Sequence, residues 1–252
     1  MRASSIRLTT ALVFLLTAAS ASAQQTPAAI TPEARAIIDR HLAAAGATDP
    51  AAVTSMRASG TLAMPAQGIT GTVQIIAARP DKTLLKAEIA GIGTLESGFD
   101  GQRGWSVDPI MGPSLLTGKQ LDQAKFDASF DGPFHDLSRF TSLAAAGTEE
   151  FDGRQAHRVN AVNAAGDKSA EYFDAATGLH AGSVSTRETP MGAIEVTSIV
   201  RDYRKAGGVL QAHQLVQRMM GVEQVITLDT FEFNVATADT FAMPPAVKAL
   251  VK

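Results

Sequence analysis

The spacing of hydrophobic positions changes once along this chain, near Val53. Before that point Ile37, Ile38, His41 and Leu42 recur at helical spacing, preceded by Thr31-Pro32-Glu33 and followed by Gly46. A hydroxyl N-cap, a proline in the first turn and a glycine stop predict one helix. His41 reads there as a packing residue, because a lone histidine has no partner ligands. From Met56 onward the period is two. Segments 56–64, 69–78, 83–89, 93–99 and 103–107 favour strand and are separated by Gly-, Pro- or Asp-containing turns. Short strands joined by tight connections predict an antiparallel meander.

Residues 108–139 break the alternation. Pro109-Ile110-Met111-Gly112-Pro113 and Leu115-Leu116 precede a segment, 119–129, with helical character, and Phe126, Phe130, Phe134 and Leu137 keep the stretch apolar. It is too apolar for a solvated loop. Two readings stand: ordinary core packed on the sheet, or a lid over a cavity. Strands resume after Phe140, with 155–162, 169–173, 179–187, 193–203, 209–218 and 222–233 each bounded by turn residues. About a dozen strands with no Pro/Gly/Ser linker between them predict a single sandwich- or barrel-like domain. Some strands carry apolar residues on both faces: Val222, Ile226 and Leu228 alternate with Val225, Phe231 and Phe233. Either both faces are covered or a bulge shifts the register.

Composition narrows the function. Residues 1–23 combine Arg2 and Arg7, the apolar run Ala11-Leu12-Val13-Phe14-Leu15-Leu16 and the small-residue end Ala21-Ser22-Ala23. That is the form of a cleaved export signal, which leaves 24–252 as the exported mature domain, with no integral membrane segment. The full chain carries a net charge of −3, and the signal removes two arginines and no acid. Nucleic acid and anionic surfaces bound by bulk charge are therefore disfavoured. Zero cysteines exclude disulfides, thiolate catalysis and cysteine metal sites. His41, His135, His157, His180 and His213 show no metal-ligand spacing, and Gly91-Ile92-Gly93 meets Glu96 where a dinucleotide fingerprint needs its third glycine. No catalytic constellation or cofactor motif emerges, so a non-enzymatic role without cofactor or metal is expected. An enzyme would require several histidines to converge in one pocket. The only tryptophan, Trp105, follows the Asp100-Gly101 turn and directly precedes the apolar insertion. Trp105, Ile110, Met111, Leu115, Leu116, Phe126, Phe130 and Phe134 are the expected wall and lid of a hydrophobic site.

Three stretches carry a family resemblance: Gly98-Phe99-Asp100-Gly101-Gln102-Arg103-Gly104-Trp105, Glu171-Tyr172-Phe173-Asp174-Ala175-Ala176-Thr177-Gly178-Leu179 and Asp202-Tyr203-Arg204-Lys205-Ala206-Gly207-Gly208-Val209. In this order, behind an export signal and a helix, they make the chain resemble the periplasmic outer-membrane lipoprotein-sorting family with the LolA-like fold. The resemblance implies an α+β fold that is mainly β: a strongly curved antiparallel sheet forming an incomplete barrel covered by helices. It also implies a lipid or lipoprotein acyl chain held on the concave face, or an envelope protein partner for a sensor built on the same fold. Gln211-Ala212 stands where relatives often have proline.

Overall fold

The computed structural model describes residues 30–46, 52–237 and 239–251. The expected export signal and its cleavage site lie outside these residues. Helix α1 spans Pro32–Ala45, with the Thr31 hydroxyl accepting from the Ala34 amide and Gly46 at its C-cap. Thirteen strands follow: β1 Ser55–Met64, β2 Ile69–Ala78, β3 Lys82–Ile89, β4 Gly93–Phe99, β5 Gly104–Asp108, β6 Gly112–Leu115, β7 Phe140–Phe151, β8 Arg154–Asn163, β9 Lys168–Asp174, β10 His180–Thr189, β11 Gly192–Ala206, β12 Val209–Met219 and β13 Val222–Phe233. Helix α2, Gly118–Asp127, lies between β6 and β7, and α3, Pro245–Lys248, follows the last strand.

All thirteen strands form one antiparallel sheet in the order β6-β5-β4-β3-β2-β1-β13-β12-β11-β10-β9-β8-β7. Every neighbour pair except β1–β13 is consecutive in sequence. The two edges, β6 and β7, are themselves consecutive, and residues 116–139 run between them. This insertion touches both halves of the sheet. Helix α2 is fastened to β10, while the Phe130 amide donates to the Pro80 carbonyl in the β2–β3 turn at 3.1 Å. A flat sheet could not be reached at both places by so short a segment, so the sheet curls around the insertion. The result is an incomplete barrel that does not close between β6 and β7.

The two faces follow from the register. On the inner face Ala58, Leu62, Val73, Ala87, Ile226 and Leu228 form one buried cluster. Farther round, Leu143, Val159, Ala161 and Phe173 pack under Ala34 and Ile38 of α1 and Phe134 of the insertion. The apparent two-faced pattern of β13 is partly a bulge. Ser59 pairs with Thr230 but Gly60 pairs with Leu228, so Asp229 is skipped. Leu228 and Phe231 then share the inner cluster. Glycine is required at position 60, since a Cβ there would lie 1.8 Å from the Thr227 carbonyl oxygen.

The outer face is covered over β2, β3 and β5, by an element the alternation does not predict. After β13, Asn234 adopts a φ of 58° and binds back to the start of β1. Its Oδ1 accepts from the Thr54 amide at 2.9 Å and its Nδ2 donates to the Ala52 carbonyl at 2.8 Å. The chain then crosses the outer face, where Phe241 and Val247 bury Ile76, Leu84 and Trp105.

Strand β6 corrects the reading of 108–139 as one unbroken insertion. Residues 104–115 form a hairpin, β5–β6, and the insertion proper begins at Leu116.

Candidate functional site

The eight residues expected to line one wall and lid fall in three places. Trp105 and Leu115 face outward. The indole lies across Gly98 of the neighbouring strand, where an added Cβ would be 2.4 Å from its Cζ2, and it is fully buried beneath the C-terminal segment. Ile110 and Met111 project from the tip of the β5–β6 hairpin, 82% and 64% exposed. The remaining four stay with the insertion: Leu116 over Gly104, and Phe126, Phe130 and Phe134 on its inner side. The expectation of a single surface shared by all eight does not hold, because Trp105 and the insertion lie on opposite faces of the sheet.

The insertion is tied down at three places: α2 on β10, residues 130–131 on the β2–β3 turn, and Phe134. The Gln123 side-chain amide donates to the Thr186 carbonyl at 3.1 Å and accepts from the Glu188 amide at 3.0 Å. It continues the sheet beyond the end of the β9–β10 pairing, where these backbone groups lack a strand partner. Arg187 donates to both carboxylate oxygens of Asp127, at 2.7 and 3.2 Å. At the far end Arg79 pairs with Asp131, and its guanidinium lies 4.6 Å from the Phe130 ring centroid. Phe134 is the third anchor, packed against Phe140, Phe173, His41 and His180.

Between these anchors, α1 and the ends of β1, β11, β12 and β13 lies a cavity of about 270 Å³. Its apolar lining comes from Val53, Met56, Phe130, Val209 and Phe233; Tyr203, His41, His135, Asp131 and Gln211 supply polar groups. A second cleft, about 420 Å³, opens on the other side of α2 among Asp122, Lys125, Arg139 and Asn163. Phe126 lines it and also lines a smaller space of about 50 Å³ floored by Ser169, Glu171, Ser183 and Ser185. The first cavity has the apolar walls with a few convergent polar groups that characterise ligand sites.

Three of the five histidines meet here, which no spacing in the sequence announces. The His180 amide donates to His41 Nδ1 at 3.2 Å, and the two rings are 6.1 Å apart. His180 Nε2 lies 3.0 Å from Glu171 Oε2, and Glu171 accepts from the Ser169 hydroxyl at 2.6 Å. Tyr203 donates to the His180 carbonyl at 2.9 Å, and burial pushes its phenol pKa upward. His157 bonds Thr148, and His213 sits against Phe231, 4.8 Å between ring centroids. Among the described residues no group of three histidine or acidic side chains is arranged to hold a metal ion.

Burial, and then the charges that His180 and His135 would add, push the His41 pKa down to about 4. The unfolded chain takes up this proton near 6.5, the folded chain only near 4. Acid therefore favours the unfolded form, and this contribution is complete above pH 6.5 and lost as pH falls toward 4. The expected loss is up to about 3 kcal/mol. Urea unfolding at pH 7 and pH 4.5, for wild type and His41→Gln, measures it. The variant should show the smaller change between the two pH values, and equal changes would refute the assignment.

No known family profile matches the sequence, and no curated protein matches it. Solved structures do resemble it. A DUF1329 family protein of Desulfovibrio piger superposes with a TM-score of 0.55 at 12% identity, covering 85% of this chain and 98% of its own. A LolA superfamily protein of Nitrosomonas europaea gives 0.54 at 12% identity, covering 83% and 97%. A Vibrio parahaemolyticus domain assigned to outer membrane lipoprotein sorting gives 0.52 at 10%, covering 82% and 95%. At these identities the likeness establishes architecture alone. The chain has the LolA-like fold, a curved antiparallel sheet left open at one seam and filled by helices.

Proposed function

We propose that this protein is a periplasmic binder or carrier of a hydrophobic ligand, an acyl chain of a lipid or lipoprotein, held between the inner face of the sheet and residues 130–135. The observation that carries this reading is the 270 Å³ cavity beside α1, apolar on most sides and bordered by an insertion fastened at separate points. Apolar burial contributes about 0.8 kcal/mol per methylene, so a dozen would supply roughly 10 kcal/mol before ordering costs, with no charged partner needed. Tyr203, His41 and His135 would meet the polar end of such a ligand. The fold it shares with a lipoprotein-sorting domain supports the assignment. Among the described residues no helix is long and apolar enough to cross a membrane.

The test is direct. The purified protein should release lipid on organic extraction, seen by mass spectrometry, and should bind a fluorescent fatty-acid probe that this lipid displaces. Met56→Trp narrows the cavity and should weaken probe binding by about tenfold or more, while overpacking costs roughly 1–3 kcal/mol of stability. Absence of both lipid and probe binding would remove the proposal. A specific envelope protein recovered by cross-linking, with no lipid, would favour the sensor role instead.

A further inference from the structure

Large apolar side chains left in water contribute nothing to folding, so their placement is informative where it is concentrated. Ile92, Ile110, Met111, Met191 and Met220 are all exposed, and all sit in hairpin turns at the same end of the strands. The turns at the opposite end carry Asp81 and Lys82, Asp100 and Arg103, Asp152 and Gly153, and Gly207 and Gly208. Two of the apolar turns touch each other. A Cβ on Gly93, at the β3–β4 turn, would lie 3.0 Å from Pro109 Cβ in the β5–β6 turn. The turn that carries Ile92 therefore adjoins the turn that carries Ile110 and Met111.

This double tip is built rather than merely loose. Asp108 Oδ1 accepts from the Ile110 amide at 2.7 Å and the Met111 amide at 2.9 Å. The turn is fixed with both side chains aimed outward, 82% and 64% exposed. Within the two turns the one charged group is thereby engaged with backbone donors, while Glu88, opposite Thr94, and Glu96, opposite Val107, stand on the strands that carry the turns. Residues 89–95 and 107–116 contain no lysine, arginine or glutamate, and Asp108 is their one acid.

We propose that the paired β3–β4 and β5–β6 turns are a membrane-contacting element, with Ile92, Ile110 and Met111 entering the boundary between headgroups and acyl chains of a lipid bilayer. A protein interface of the usual kind needs a packed area of about 1,000 Å² or more with polar groups at its rim. Here three apolar side chains project from adjoining glycine-containing turns, a shape that inserts into a fluid surface. Without basic residues the attraction is to the apolar interior, so neutral lipid suffices and salt has little effect. The element is independent of the cavity beneath residues 130–135, and either can exist without the other.

The experiment uses the whole purified chain with vesicles of neutral phosphatidylcholine, read by flotation. Wild type should float with the vesicles at low and high salt, and added anionic lipid should change this little. The double variant Ile110→Ser, Met111→Ser should partition about tenfold or more less strongly. Its thermal stability should be unchanged, because both side chains are already in water. The pair Met191→Ser, Met220→Ser serves as a control for general stickiness and should float like wild type. The chain has no cysteine. Met111→Cys thus offers one thiol for a polarity-sensitive dye, whose emission should shift to the blue on adding vesicles. Failure of wild type to float, floating that needs anionic lipid, equal losses from the two double variants, or an unshifted dye would each overturn the proposal. A lipid-free protein that still floats would sink ligand carriage and leave this element standing.

Discussion

Trp105→Ala should lower the unfolding free energy by about 3–5 kcal/mol while leaving binding of a hydrophobic probe intact. The indole is fully buried, spans Gly98 and packs against Ile76, Leu84, Phe241 and Val247. Its loss removes the centre of the outer cluster and frees the C-terminal segment that covers it. Domains are typically stable by only about 5–15 kcal/mol, so the variant should be marginal. Yet the cavity beside α1 lies on the other face of the sheet, beneath residues 130–135. Chemical denaturation and probe titration, made in parallel, separate the two effects. A variant of normal stability that no longer binds the probe would show that Trp105 belongs to the ligand site after all.

Phe134→Ala should cost a similar amount, about 3–5 kcal/mol, but with the opposite functional result. Phe134 is 4% exposed and meets Phe173 and Phe140 at ring-centroid distances of 5.2 and 5.8 Å. It holds the insertion against α1 and the β9–β10 region. Without it, residues 130–135 lose an anchor, and the wall they form beside His41 and Met56 loosens. Limited proteolysis should then cut within 116–139 faster than in wild type, and probe affinity should fall. Destabilisation with unaltered affinity would mean that the insertion is core and not a wall of the site.

These two residues also mark how far the fold and the site can be read from the sequence. Alternation located the strands because a half-buried strand must repeat every two residues, and the helix 32–45 announced itself through Thr31, Pro32 and Gly46. Strand β6 escaped because four residues containing Pro113 leave no period to detect. The face taken by Trp105 depends on its pairing with Gly98 and Leu115, and a single strand does not disclose its register or which face is inner. The cover over Trp105 comes from Phe241, Met243 and Val247, in a stretch with no regular pattern. The meeting of His41, Phe134 and His180 joins three distant segments and leaves no local motif. Likewise, the apolar tip 110–111 reads as insertion sequence until hairpin pairing places it in solvent.

The position of the sheet's first and last strands bears on how the chain finds this structure. All but one of the pairings join strands that are neighbours in sequence and can form as hairpins. Only β1 with β13 must bring together segments whose nearest ends are Met64 and Val222. Closing that long loop carries the largest entropic cost of any pairing and is repaid only when both partners already exist. Residues 55–115 and 140–233 can therefore each assemble as a local meander, and their zipping along β1 and β13 is the late, slow event. A circular permutant that joins residue 251 to residue 30 through a flexible linker and is opened within 116–139 would keep α1 and the cover over Trp105, shorten the connection between β13 and β1, and should reach the same barrel faster.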